Sequence, residues 1–144
     1  MKSRIFFICF VSLLLCFVSC KKEPSKGEYK GTFTGDFSVD TLYTTFYYFE
    51  VTRSTKKELW LKEQQSQTTS KLKKHSNDSI SGMIGFAGEI YDLEGKERGI
   101  FSVIKIAGRH NSDIITGTFS TTLSKGEQQY NSTGKFIIEP LYEN

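Results

Sequence analysis

The chain predicts an all-β fold: a single antiparallel up-and-down β-barrel of about eight strands, with a two-sheet β-sandwich as the alternative arrangement. Three observations carry that expectation. Apolar and polar residues alternate at period two through much of residues 28–139, the spacing that sends successive side chains to opposite faces of a strand. Aromatic residues make up 14% of the chain and cluster with β-branched ones, a composition that favours strand over helix. Neither of the two prolines, Pro24 and Pro140, interrupts an alternating segment, and no stretch shows a clear 3.6 period.

The first strand is expected at 29–39, where Tyr29, Gly31, Phe33, Gly35, Phe37 and Val39 share one parity and polar residues the other. The second, at 41–51, carries aromatics on both faces through Tyr43, Phe46, Tyr47, Tyr48 and Phe49. Leu59, Trp60 and Leu61 mark a third, and the amide- and hydroxyl-rich run 63–70 reads as a solvated loop before a short strand around Leu72. Alternation resumes at 79–86 through Ile80, Gly82, Ile84 and Phe86, and 89–93 is a further short strand ending in a turn at 94–96. Residues 99–107 and 113–121 form a hairpin around a turn at 109–112, and 128–138 is the last strand. The count is eight or nine.

Three segments, 29–33, 115–119 and 132–136, share the form x-x-Gly-x-Phe. Glycine inside a strand marks a bend or a close approach, and a ring from the neighbouring strand fills the space it leaves. Because the form joins the first strand to the last two, these three are expected to be neighbours that close the barrel. With the strand number and meander order, these Gly-x-Phe strands resemble the small lipocalin-like (calycin) barrels over residues 28–139. Gly31-Thr32-Phe33 stands where lipocalins carry Gly-x-Trp, and the one tryptophan, Trp60, falls elsewhere. The resemblance implies a barrel that carries a small apolar ligand.

The N-terminus follows a different logic. A basic start (Met1, Lys2, Ser3, Arg4), an apolar run at 5–18 and the small Ser19 have the order of a secretory signal peptide. The apolar run is too short for a membrane-crossing helix, which needs roughly 20 residues. Phe17-Val18-Ser19-Cys20 resembles the lipobox of bacterial lipoproteins. That resemblance implies cleavage before Cys20, a lipid on Cys20, and a place in the cell envelope anchored to a membrane. Lys21, rather than Asp, implies the outer membrane of a Gram-negative bacterium. The expected domains are a signal peptide at 1–19, the lipidated cysteine and a flexible tether at 20–27, and the barrel at 28–144.

Loss of Lys2 and Arg4 with the signal leaves 17 basic against 16 acidic residues, so no nucleic-acid partner is expected. The local run Lys71-Leu72-Lys73-Lys74 reads as a solvated strand or turn, and Lys21 with Lys22 offers only two charges to an anionic lipid surface. Cys9 and Cys16 leave with the signal and Cys20 is acylated, which removes disulfides, thiolate metal sites and cysteine nucleophiles. His75 and His110 sit in turn-like contexts without metal-ligand spacing, and no Gly-x-Ser-x-Gly elbow occurs. The acidic run Glu89, Asp92, Glu94, Glu97 lacks the order of a calcium loop.

No catalytic residue, metal or cofactor is therefore expected, and the protein is not expected to be an enzyme. The candidate ligand-binding residues are Tyr43, Phe46, Tyr48, Glu50 and Trp60. Glu50 shares the parity of Phe46 and Tyr48, so an inward face would make it a buried carboxylate in need of a partner. The expected function is that of a non-enzymatic, lipid-anchored envelope lipoprotein whose barrel binds a small apolar ligand or a protein partner. The alternative is an inhibitor or immunity-type protein, or an accessory subunit of an envelope complex.

Overall fold

The computed structural model describes residues 22–36 and 42–142. Eight antiparallel strands close one barrel in chain order: β1 (Gly27–Asp36), β2 (Leu42–Ser54), β3 (Glu58–Glu63), β4 (Thr69–Lys74), β5 (Ser79–Tyr91), β6 (Glu97–Asn111), β7 (Ile114–Lys125) and β8 (Gln128–Pro140). β1 pairs on one side with β2 and on the other with β8, so the sheet has no break between first and last strand and the sandwich is excluded. Phe37 and Val39 lie outside the described residues.

The parity expected for β1 holds, with Tyr29, Gly31, Phe33 and Gly35 buried. The expected ninth strand is absorbed into β5. Its register against β6 shifts between Gly85 and Gly88, so one bulged strand covers what the sequence reads as two. The hairpin after β6 is tighter than expected. Arg109, His110 and Asn111 still pair with Thr116, Ile115 and Ile114, leaving only Ser112 and Asp113 to turn.

Glycine and phenylalanine oppose each other reciprocally across β7 and β8: Phe119 faces Gly134, and Gly117 faces Phe136. A Cβ on Gly134 would sit 2.1 Å from the Thr34 carbonyl oxygen and 2.8 Å from the Phe119 ring. One on Gly117 would sit 2.2 Å from the Ala107 carbonyl oxygen. The strands approach too closely here for any side chain. The released volume is taken by Phe33, whose ring stacks on Phe136 at 5.8 Å and meets Phe119 edge-on at 5.4 Å. The ring contacts continue across the barrel through Phe33–Tyr47 (5.9 Å), Tyr47–Phe86 (4.7 Å) and Phe86–Phe101 (5.2 Å). Aliphatic residues such as Leu59, Leu61, Leu72, Ile115 and Ile138 complete a core that is closed to solvent.

Two substitutions separate close approach from mere strand membership. Gly134→Ala is expected to destabilise by about 1–3 kcal/mol through overpacking at the seam. Gly85→Ala, where an added Cβ meets nothing within 4 Å, should lie within about 1 kcal/mol of wild type on the stabilising side. Denaturant midpoints at an unchanged slope check both.

Candidate functional site

β2 distributes the candidate residues between two faces, and its register decides which. Gly31 pairs with Tyr47 and Tyr29 with Phe49, so the odd-numbered residues of β2 share the inward parity of β1. Tyr43 is accordingly buried, and its hydroxyl bonds the Ser132 hydroxyl at 2.7 Å. Burial pushes the Tyr43 phenol up to about 12, outweighing the opposing effect of the Ser132 hydrogen bond.

Phe46, Tyr48 and Glu50 point outward, which corrects the expectation that they line a ligand site with Tyr43. Glu50 is an ordinary surface carboxylate. Trp60 also faces outward, 5.3 Å from the Arg53 guanidinium and 5.8 Å from the Lys71 ammonium. Its indole N–H donates to the Glu58 carboxylate at 3.2 Å, and Glu58 pairs with Lys71 at 2.6 Å. The five residues therefore form no common pocket.

Tyr47 belongs to the same aromatic cluster of β2 but stands outside the five candidates. β3 and β4 have six residues each, whereas β2 and β5 have thirteen. β3 pairs with β2 only from Phe49 onward, and β4 pairs with β5 only at Ser81 and Ile80. Beyond this short hairpin, no ladder joins residues 42–47 of β2 to 86–91 of β5 among the described residues. The wall is split there, and side chains close it. The Tyr47 ring lies 4.7 Å from Phe86 and 5.6 Å from Phe101, and its hydroxyl donates to the Glu89 carbonyl at 3.3 Å. Burial, above all, raises the Tyr47 phenol, so it stays protonated as a donor. Its shared parity with Tyr43 and Phe49 was the available signal.

Outside, Leu42, Phe46 and Tyr48 stand exposed along one lip of the split and Tyr91 on the other. Lys30 places its ammonium 4.1 Å over the Phe46 ring. Hollows also open on the outer wall, around Thr34 and Ile137 with Leu42 at the edge, around Val103 and Asn131, around Ala107 and Thr118, and around Lys57 and Lys73.

No family model, curated protein or solved structure matches this chain. What the molecule does is therefore carried by its geometry.

The end of the barrel where the chain enters departs from the expected free tether. Lys74 shares the inward parity of Leu72 on β4, and its ammonium is buried at the base rather than solvated. It pairs with the Glu23 carboxylate and donates to the Ser54 hydroxyl at 3.1 Å. His110, buried on β6 rather than placed in a turn, brings Nε2 to 3.9 Å from the same carboxylate. Pro24 is buried next to it. The Ser25 N–H donates to the Asp113 carboxylate at 2.7 Å, and the Tyr29 hydroxyl donates to the Ser25 carbonyl at 2.9 Å. Residues 23–25 are thus a strap laid across the base.

Two carboxylates, Asp92 of the acidic run and Glu63, serve turns. Asp92 accepts the N–H groups of Glu94 and Lys96 and pairs with Arg98 at 2.6 Å, while Glu63 accepts those of Gln65 and Ser66. His75 is exposed, with Nε2 3.0 Å from the Ser81 hydroxyl. Among the described residues no three His, Cys, Asp or Glu gather into a group that could hold a metal ion.

Two measurements test the strap. The Ser25 N–H, foremost, holds Asp113 below its ordinary value of 3.8, against the opposing effect of burial. A carboxylate depressed in the folded state stabilises above its unfolded value and loses that contribution as pH falls through the folded one. Amide exchange at Ser25 should therefore accelerate relative to neighbouring strands below the ordinary aspartate range, and Asp113→Asn should remove the pH dependence. Glu23→Gln should cost about 1–2 kcal/mol, because it leaves a buried ammonium with a weaker acceptor at a site partly open to water. Adding Lys74→Met should recover most of that loss in a double-mutant cycle.

Proposed function

We propose that this chain is a non-enzymatic, lipid-anchored lipoprotein of the cell envelope that works as a protein-interaction module, with the split between β2 and β5 as its docking site. The observation that carries the reading is the division of aromatic side chains on β2. Tyr43, Tyr47 and Phe49 fill the interior, while Leu42, Phe46 and Tyr48 stay exposed beside strand edges that have no ladder partner among the described residues. Unpaired edges next to apolar side chains suit an extended segment of a partner protein, which gains main-chain hydrogen bonds from the edge and specificity from alternate side chains. Lys30 over Phe46 and the bulge in β5 blunt the edge against pairing with unrelated chains.

Carriage of a small apolar ligand within the barrel has less support. Such a ligand would have to displace Tyr47 or Phe86 from a chain of mutual ring contacts. An inhibitor, an immunity-type protein and an accessory subunit of an envelope complex are forms that the module can take. The anchor is the lipid expected on Cys20, in the outer membrane of a Gram-negative bacterium, and no chemistry is asked of the barrel.

Pull-down of the lipidated full chain from detergent-solubilised envelope tests the proposal. Wild type should recover a stoichiometric partner. Phe46→Ser with Tyr48→Ser should weaken capture by about 30-fold, as expected for aromatic anchors of an interface, at nearly unchanged stability. Equal recovery by the variant, or an apolar ligand retained in native mass spectra of the delipidated chain, would overturn it.

A further inference from the structure

The anchored end of the barrel has a chemistry of its own. The base consists of residues 22–26, the turns 55–57, 75–78 and 112–113, and the adjoining strand ends. Counted over the described turn residues and the terminal residue of each adjoining strand, it holds five cations, Lys22, Lys26, Lys56, Lys57 and Lys74, against four anions, Glu23, Glu58, Asp78 and Asp113; one residue further in, Arg53 and Lys73 are matched by Glu28 and Glu139. Glu23 is engaged within the fold by Lys74, Glu58 by Lys71, and Asp113 by Ser25 and Tyr29. Four of the cations, all but Lys74, are exposed. Counted the same way over the described residues, the opposite rim has the reverse balance, with Lys96 and Lys125 against Asp36, Asp92, Glu94, Glu97 and Glu127, and with Arg98, one residue further in, paired to Asp92. A near-neutral chain is thus sorted by its fold into a basic base and an acidic rim.

The strap makes that polarity matter. A free tether of seven residues would let the barrel wander from the bilayer, but Glu23, Pro24 and Ser25 are bound to the base. Three peptide units separate Cys20 from Glu23, and they reach at most roughly 10 Å. The base is then held at about one Debye length from the headgroups, close enough for its lysines to feel an anionic leaflet.

From this geometry we infer that the base is an electrostatic docking surface for anionic lipid headgroups. The barrel stands on the membrane with its acidic rim directed away. The inference rests on anchoring through Cys20, and it orients the β2–β5 split sideways above the bilayer, open to a partner at the surface.

The lipidated full-length product, reconstituted in phosphatidylcholine vesicles or in vesicles that also contain phosphatidylglycerol, provides the test. Fluorophores at Ser76→Cys on the base and at Glu127→Cys on the rim are read against a quencher fixed to the headgroups. The positions lie roughly 30 Å apart along the axis, the height of tilted barrel strands thirteen residues long. With phosphatidylglycerol the base label should be quenched and the rim label should not. The base signal should fall at high salt. It should also fall when Lys56→Glu and Lys57→Glu are combined, lowering the docked population by roughly 25-fold or more at about fivefold per lysine.

Equal quenching at both ends overturns the inference and leaves the anchor standing, as does base quenching indifferent to phosphatidylglycerol, salt and charge reversal. Intact mass reads the anchor separately. A chain without lipid on Cys20 that still floats with phosphatidylglycerol vesicles keeps the docking base, and one that does not float overturns both readings.

Discussion

The close approach of β1, β8 and β7 is the constraint on which the rest of this barrel depends. At Gly134 the neighbouring backbone comes within 2.1 Å of where a Cβ would stand, and at Gly117 within 2.2 Å. The Gly134 contact, with the Thr34 carbonyl of β1, brings the first strand against the last, and the Gly117 contact, with the Ala107 carbonyl, seats β7 against β6; a meander becomes a closed sheet only if the first of these pairings forms. Each missing side chain is matched by a ring from the strand opposite, so closure and core filling are one event. Phe33 at the seam then hands the aromatic contacts on to Tyr47, Phe86 and Phe101 across the interior.

Closure is uneven around the ring, and the proposed docking site lies where the backbone ladder is shortest. The β3–β4 hairpin is half the length of its neighbours, so the backbone ladder runs out partway up the wall. The protein covers the shortfall with the Tyr47 and Phe86 rings instead of with hydrogen-bonded backbone. That solution leaves polar backbone groups near exposed Leu42, Phe46 and Tyr48, a combination that a fully laddered barrel does not present. At the base a different shortfall is met by the strap, whose Glu23 supplies the counter-charge for Lys74. Ion pairing at the base and the proposed proximity to a membrane therefore rest on the same three residues.

Much of this was legible in the chain. Period-two alternation located most strands, and the x-x-Gly-x-Phe segments named the strands that close the ring, because both signals are local and each residue's side chain reports its own face. The merged β5 was not legible, since Gly85 and Gly88 look like strand ends until β6 supplies a continuous partner. Nor was the fate of Lys74, whose surroundings in sequence are basic and whose partner is 51 residues away. The candidate site misled for a related reason. With aromatics at both parities of β2, the inward set is decided by register against β1, a long-range fact absent from the strand itself.

By itself the sequence determined the strand-rich class, the seam glycines and the lack of any cysteine between Lys21 and Asn144, and it raised the expectation of a lipid on Cys20. Each is a property of composition or of residues within a few positions of one another. Only the tertiary structure decided that Phe46, Tyr48 and Glu50 face outward, that the wall between β2 and β5 is split, and that residues 23–25 are bound. It alone sorted a nearly balanced set of charges into a basic base and an acidic rim. Those outcomes depend on which distant segments are neighbours, and barrel closure sets that pairing across more than a hundred residues, from β1 to β8.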